Sequence, residues 1–139
     1  MQKIIIDTNV FVSAIIQRGF SHYIVAELFS TSNIELCVSF ELFKEYYDVL
    51  NRGRFAKYPD FVSKSKVLLA GIEKKAMKYF PTVRLDIISD RDDNKLLELA
   101  ETCRAQYLIT GNTKDFTMPI YKGTKIVTPK EYWTKHIFL

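Results

Sequence analysis

Cysteine and histidine are scarce in this sequence, which has two of each in 139 residues. The two cysteines form no CxxC pair, so neither a zinc site nor a disulfide framework is indicated. His22 and His136 are isolated as well, which argues against zinc or iron held by imidazole groups. No GxGxxG or GxxxxGK[ST] loop is present, and this argues against the common nucleotide-binding folds.

Long hydrophobic runs are also missing. No apolar stretch approaches the roughly 18–20 residues that a membrane span needs. The first apolar run meets Asp7 too early for the hydrophobic region of a signal peptide. With 47% hydrophobic and 26% charged residues, the composition is that of an ordinary globular protein. We therefore expect one soluble, cytoplasmic domain over residues 1–139, with no membrane partner.

Short β-branched runs alternate with helical patterns along the chain. Strands are predicted at 4–6, 35–39, 107–110 and 125–128, with a weaker candidate at 82–88. Helices are predicted at 21–30, 41–51, 59–80, 93–104 and 129–134. This alternation favours a three-layer α/β/α domain with a central, mostly parallel sheet.

Acidic residues follow two of the predicted strands directly. Asp7 comes after the strand at 4–6, and Asp115 stands in the loop after the strand at 107–110. Ligands of an open parallel sheet bind beyond the carboxyl ends of its strands, so both acids lie where chemistry is expected. Each also has an ordinary explanation, Asp7 as a turn or helix-capping residue and Asp115 as part of a plain surface loop.

Further acids belong to two predicted helices. Glu45 falls about 40° outside the apolar stripe of its helix, at the border between core and solvent. A surface glutamate whose stem packs on the core would have the same position. Asp90, Asp92 and Asp93 precede or begin the helix at 93–104. Asp93 is a candidate N-cap, but three acids within four residues exceed what one cap requires.

These four acidic segments, from distant parts of the chain, all map to one end of one sheet. Carboxylates packed together without partners raise one another's pKa values. Hard cations such as Mg²⁺ or Mn²⁺ remove that cost because they prefer oxygen ligands. A cation held by carboxylates suits phosphodiester hydrolysis, since it lowers the pKa of a bound water and stabilises charge in the transition state.

Positive charge is concentrated in the middle of the chain. Residues 52–84 carry nine basic and two acidic side chains, a net charge of +7, whereas the rest of the chain is at −3. We call residues 52–84 the basic segment. Such an asymmetry could attract the backbone of an RNA, because phosphate contacts dominate affinity for nucleic acids. A solvated helix face explains the same charges.

Four segments, in order and at suitable spacing, resemble the motifs of PIN-domain ribonucleases, and in particular those identified as toxins of prokaryotic toxin–antitoxin pairs. The segments are 4–14, 39–50, 90–100 and 107–116. The resemblance implies an acidic site for Mg²⁺ or Mn²⁺ formed by Asp7, Glu45, Asp93 and Asp115. It also implies nearby hydrogen bonds from Thr8, Asn9, Thr110 and Asn112. Asp93 is taken over Asp90 and Asp92 because its spacing to Ala100 matches the family helix.

The resemblance implies an endoribonuclease that cleaves single-stranded RNA or tRNA and leaves 5′-phosphate and 3′-hydroxyl ends. It further implies a protein antitoxin that blocks the site, and a homodimer. Many PIN domains have an acid where Asn112 stands, but a Thr-Gly-Asn subgroup keeps an acid at the position of Asp115, as this chain does. This departure leaves open a catalytically inert PIN-fold module that binds RNA or protein.

A phosphatase of the haloacid dehalogenase type also begins with an aspartate after a strand. Its chemistry needs a second aspartate two residues later as general acid. Asn9 stands at that position here, so the sequence argues against this class.

Overall fold

The computed structural model describes residues 1–88, 91–116 and 118–138, and at positions 91 and 92 it describes the backbone only. Six strands in these ranges form one sheet: β1 (Gln2–Ile6), β2 (Ile34–Ser39), β3 (Met77–Tyr79), β4 (Tyr107–Ile109), β5 (Ile120–Tyr121) and β6 (Thr124–Val127). The strand order is β3-β2-β1-β4-β6-β5. All neighbouring strands are parallel except β5 and β6, which form an antiparallel hairpin at one edge.

Helices cover the sheet and complete the predicted three-layer α/β/α architecture, which is confirmed. They are α1 (Thr8–Ile16), α2 (Phe20–Ser30), α3 (Phe40–Leu50), α4 (Phe61–Lys75), α5 (Arg91–Cys103) and α6 (Pro129–Glu131). A π-helical turn at Tyr132–His136 continues α6. None of the helices in the described residues is long and apolar enough to cross a membrane.

Strand β1 lies in the middle of the sheet. Ile4, Ile5 and Ile6 are all fully buried, as the β-branched run predicts for a parallel strand covered on both faces. Ile6 pairs with Ile109 of β4, so these neighbouring strands end at the same level. The residues that follow them, at positions 7 and 110, therefore meet at one edge of the sheet.

The predicted helix at 59–80 is wrong at its C-terminal end. Helix α4 stops at Lys75, and the next residues form the edge strand β3. Strand β3 pairs in parallel with β2, which satisfies backbone groups that would otherwise lie on an unpaired edge. The Tyr79 hydroxyl also donates to a Glu35 carboxylate oxygen at 2.6 Å and fixes this strand on its neighbour.

The weak strand predicted at 82–88 is also wrong, because no strand forms over these described residues. Side chains of α5 satisfy the backbone there instead. The Asn94 side-chain oxygen accepts from the backbone N–H groups of Ile87 at 3.0 Å and Ile88 at 3.1 Å. A Glu98 carboxylate oxygen accepts from the Leu85 N–H at 2.7 Å. The buried Asn94 and Glu98 thus accept hydrogen bonds from backbone N–H groups that would otherwise pair with a neighbouring strand.

Besides β3, helix α1 and strand β5 were not predicted from the sequence. Helix α1 is apolar on most sides, so its pattern has no clear helical stripe. The hairpin of β5 and β6 turns through Lys122 and Gly123, which have φ angles of 45° and 87°. Positive φ at both central residues is what a two-residue hairpin of type I′ requires. Pro129 occupies the first turn of α6, and Thr128 and Glu131 form a capping box around it.

Candidate active site

Asp7 stands at the carboxyl end of β1, and its backbone N–H donates to the carbonyl of Ile109 at 2.9 Å. Its side chain is only 8% exposed and makes no capping hydrogen bond to α1. Instead, a carboxylate oxygen accepts from the Thr110 hydroxyl at 2.8 Å. Asp7 thus occupies the N-cap position of α1, as its ordinary explanation predicts, but its carboxylate is engaged by Thr110 rather than by a capping hydrogen bond.

Burial raises the pKa of Asp7 above its ordinary value. The negative charge of Glu45 raises this pKa further, while the Thr110 hydrogen bond and the charge of Lys95 lower it. The raised pKa shows that the ionised form of Asp7 is incompletely compensated. It also shows that Asp7 and Glu45 are electrostatic neighbours, although they come from β1 and α3.

Helix α3 is positioned by two contacts near the end of the sheet. At its N-terminus, the Ser39 hydroxyl accepts from the Leu42 N–H at 3.0 Å and caps the helix. The hydroxyl of the fully buried Tyr46 donates to the carbonyl of Ile6. Because Ile6 precedes Asp7 and Tyr46 follows Glu45, this hydrogen bond brings the two acidic positions together. The Glu45 side chain is 24% exposed, as its predicted position at the border of the core requires.

Both carboxylate oxygens of Glu45 have partners. The Thr8 hydroxyl donates to one oxygen, and the Lys95 ammonium donates to the other at 2.6 Å. Lys95 was missed as a functional candidate from the sequence. A signal was present, because Lys95 stands four residues before Leu99 and so lies on the apolar stripe of α5. A lysine at such a position is buried, and a buried lysine needs an acidic partner.

The remaining hydrogen-bonding residues of the predicted site occupy different environments. Thr110 is fully buried, and besides donating to Asp7 it accepts from the Asn112 N–H at 3.1 Å. Asn112 is thus connected to Asp7 through one hydroxyl. Asn9 is exposed in the first turn of α1.

Asp115, a predicted member of the acidic site, is exposed in a 3₁₀ turn, Thr113–Asp115, which follows β4.

Asp93 lies in the first turn of α5 and is half-buried. Because α5 already begins at Arg91, Asp93 is inside the helix, and its alternative role as an N-cap is wrong. The positive end of a helix dipole favours negative charge at such a position. Of the two other acids considered for this segment, Asp90 and the side chain of Asp92 lie outside the described residues.

Within the part of the chain that the structure describes, no three histidine, cysteine, aspartate or glutamate side chains form a group that could hold a metal ion. The convergence of Asp7, Glu45, Asp93 and Asp115 on one ion therefore stays a prediction. The donor chemistry nevertheless fits a hard cation, since these groups offer carboxylate oxygens. The raised pKa of Asp7 also fits a bound cation, because added positive charge would stabilise the ionised form of Asp7.

A small cavity lies beside Glu45. Its volume is about 250 Å³, and Glu45, Lys95 and Arg52 are among the residues that line it. Arg52 is exposed and is the first residue of the basic segment. The basic segment therefore begins next to Glu45, in a cavity whose lining carries three acidic and three basic side chains.

Comparison with known protein families gives one result. A family model described as PIN domain matches residues 3–114, about four fifths of the chain. The matched range includes Asp7, Glu45 and Asp93 and ends one residue before Asp115. No curated protein and no solved structure matches the chain. The match covers well over half of the sequence, and the chain therefore belongs to the PIN-domain family.

Proposed function

We propose that this protein is a metal-dependent endoribonuclease whose acidic site is built around Asp7 and Glu45. Membership of the PIN-domain family supports a nuclease-type fold. The observation that carries the proposal is the buried Asp7 carboxylate at the carboxyl end of β1, with Glu45 as its electrostatic neighbour. Two carboxylates in that position repel each other unless a cation lies nearby, and phosphodiester hydrolysis uses such a cation.

In this proposal Asp7 and Asp93 are the main ligands of Mg²⁺ or Mn²⁺, and Glu45 and Asp115 complete the site directly or through water. The bound ion would lower the pKa of a water and stabilise charge on the phosphate. Thr110 holds the Asp7 carboxylate through its 2.8 Å hydrogen bond. Thr8 and Lys95 hold Glu45 from two sides, which fixes the carboxylate that orients the attacking water.

Single-stranded RNA or tRNA is the proposed substrate, with 5′-phosphate and 3′-hydroxyl ends as products. The basic segment supports an RNA backbone as ligand, because Arg52 lines the cavity beside Glu45. As further parts of the proposal, the protein is the toxin of a toxin–antitoxin pair, its antitoxin blocks the acidic site, and it acts as a homodimer. These parts rest on the family resemblance.

The decisive experiment is the substitution Asp7→Asn, which keeps the size of the side chain and an oxygen that can accept from Thr110. Purified wild type should cleave single-stranded RNA in Mn²⁺ or Mg²⁺ and lose this activity in EDTA. Asp7→Asn should be slower by at least about a hundredfold, the scale of losing one essential catalytic group. The matched control is Asp60→Asn, an exposed aspartate before α4, which should cleave at the wild-type rate. Equal rates of RNA cleavage by Asp7→Asn and wild type would contradict the proposal.

A catalytically inert module that binds RNA or protein is the second candidate. Two observations favour it: Asn112 stands where many family members have an acid, and Lys95 already engages Glu45. A titration with Mn²⁺ separates the two candidates. A nuclease should bind Mn²⁺ in wild type and lose this binding in Asp7→Asn, whereas a module that only binds RNA should retain RNA affinity in EDTA and show no cleavage.

A further inference from the structure

Lys95 is an unusual residue of this site because it is a buried lysine. Only 4% of the residue is exposed, and its neighbours along α5 from Asn94 to Ala100 are buried as well. Lysine is almost never buried to this extent unless its charge is paired. Its ammonium donates to Glu45 at 2.6 Å, and its positive charge also acts on Asp7. One ammonium on α5 therefore serves two carboxylates on two other elements.

The balance of charge around Lys95 favours a bound cation. The buried Asp7 and the 24% exposed Glu45 bring two negative charges to this region, and the buried Lys95 contributes one positive charge. Removing either partner from such a pair leaves the other charge uncompensated, which destabilises the folded protein. The exposed pair of Lys122 and Glu101, with an N–O distance of 2.7 Å, has no such constraint because water screens it.

We propose that Lys95 occupies the position that a second metal ion would take, so that the site accepts one divalent ion per chain. Nucleases with two metal ions use the pair to clamp both sides of the phosphate. An ammonium carries one charge and three N–H donors and has no water ligand, so it can neutralise Glu45 and hydrogen-bond a phosphate oxygen but cannot activate water. Lys95 is thus a positioning residue for Glu45. This inference rests on the proposed metal-dependent nuclease.

The test counts bound Mn²⁺ by calorimetric titration of the full chain in the absence of RNA. Wild type should bind one Mn²⁺. Lys95→Met has a similar length but no charge, so it should bind two Mn²⁺ ions, because the position of the ammonium becomes free and its repulsive positive charge is gone. Lys95→Arg, which keeps the charge, should bind one ion as wild type does. The matched control is Lys122→Met, which removes the exposed partner of Glu101. It should leave the number of bound Mn²⁺ ions and their affinity unchanged.

Stability gives a second readout. Lys95→Met should have a lower Tm than wild type in EDTA, and Mn²⁺ should raise its Tm by more than it raises the Tm of wild type, because the ion restores the missing charge. A merely structural lysine would lower the Tm without changing the response to Mn²⁺. If Lys95→Met does not fold in EDTA, recovery of its fold in Mn²⁺ supports the inference, and failure to recover in Mn²⁺ contradicts it.

The outcomes separate this inference from the proposed function. Two Mn²⁺ ions in wild type would overturn the role of Lys95 and leave the nuclease proposal standing. Only one bound Mn²⁺ in Lys95→Met would also overturn the role of Lys95 and leave the nuclease proposal standing. No Mn²⁺ binding in wild type would overturn the metal-dependent nuclease itself, and the inference with it.

Discussion

The Asp7 carboxylate is a costly group for the metal-free protein. Burial and the neighbouring charge of Glu45 both raise its pKa above the ordinary value of 3.8. A carboxyl group with a raised pKa in the folded state holds its proton more tightly there than in the unfolded chain. Stability therefore falls as the pH rises from the unfolded-state pKa through the raised folded-state pKa of Asp7. Such a penalty is expected where a ligand, and not the fold, requires the charge.

Asp7→Asn should therefore stabilise the metal-free protein while it abolishes function. At pH 7 in EDTA we expect a gain of about 1 kcal/mol, which corresponds to a Tm higher by about 2–4 °C, because the uncompensated charge is gone. Thermal unfolding followed by circular dichroism measures the difference. The gain should shrink as the pH falls towards 3.8, where Asp7 of wild type is itself protonated. A lower Tm for Asp7→Asn at pH 7 would contradict the argument.

At the scale of elements, the site depends on how α3 is attached to β1. The ring of Tyr46 packs edge-on against Phe11 of α1, with ring centroids 4.9 Å apart. Its hydroxyl donates to Ile6, and burial raises the pKa of Tyr46 well above its usual range, so it stays a donor. This contact connects the residue before Asp7 with the residue after Glu45. Tyr46 is thus one of the contacts that hold Asp7 and Glu45 next to each other.

Tyr46→Phe should weaken both the fold and the site. The ring remains, but the buried carbonyl of Ile6 loses its donor, which we expect to cost about 1–3 kcal/mol in the free energy of unfolding. Urea denaturation measures this loss, and titration should show weaker Mn²⁺ binding because Glu45 is less well held. The matched control is Tyr47→Phe at the next, 56% exposed position, which should stay within about 0.5 kcal/mol of wild type. Equal stability of the two variants would argue against the anchoring role.

The whole molecule brings together residues that are remote in the chain. Cys37 of β2 and Cys103 at the end of α5 are both free, buried thiols, and they are electrostatic neighbours, since Cys103 raises the pKa of Cys37 and Cys37 lowers the pKa of Cys103. They are 0% and 2% exposed, respectively. The sequence showed them as two isolated cysteines, and only the packing of α5 on β2 makes them neighbours. Their accessibility therefore reports on the integrity of the core as a whole.

We expect neither thiol to react with an alkylating reagent such as a maleimide while the protein is folded. Labelling should be slower than in urea by at least about a hundredfold, because reaction requires opening of the core. Mass spectrometry should find an unmodified protein under native conditions and two modified cysteines after unfolding. Rapid labelling of Cys37 or Cys103 in the native protein would show that α5 does not stay packed on the sheet.

Much of this protein is determined by the sequence itself. The isoleucines of β1 and the apolar stripe of α3 are local periodic patterns, and burial of apolar area decides them with little help from distant residues. The alternation of strands and helices predicted the layered fold, and the position of Asp7 after a central strand predicted its place at the carboxyl edge of the sheet. The border position of Glu45 followed from the geometry of one helix.

The tertiary structure alone decided how backbone groups and charges are paired when their partners are remote in the chain. Residues 77–79 became a strand because β2 offered an edge, and residues 82–88 did not because Asn94 and Glu98 satisfied their N–H groups. The burial of Lys95 against Glu45 joins two helices whose relation no local pattern encodes. The local propensities for strand and for irregular backbone differ little in such segments. Which of the two forms depends on which hydrogen-bonding partner the folded chain brings close to the backbone.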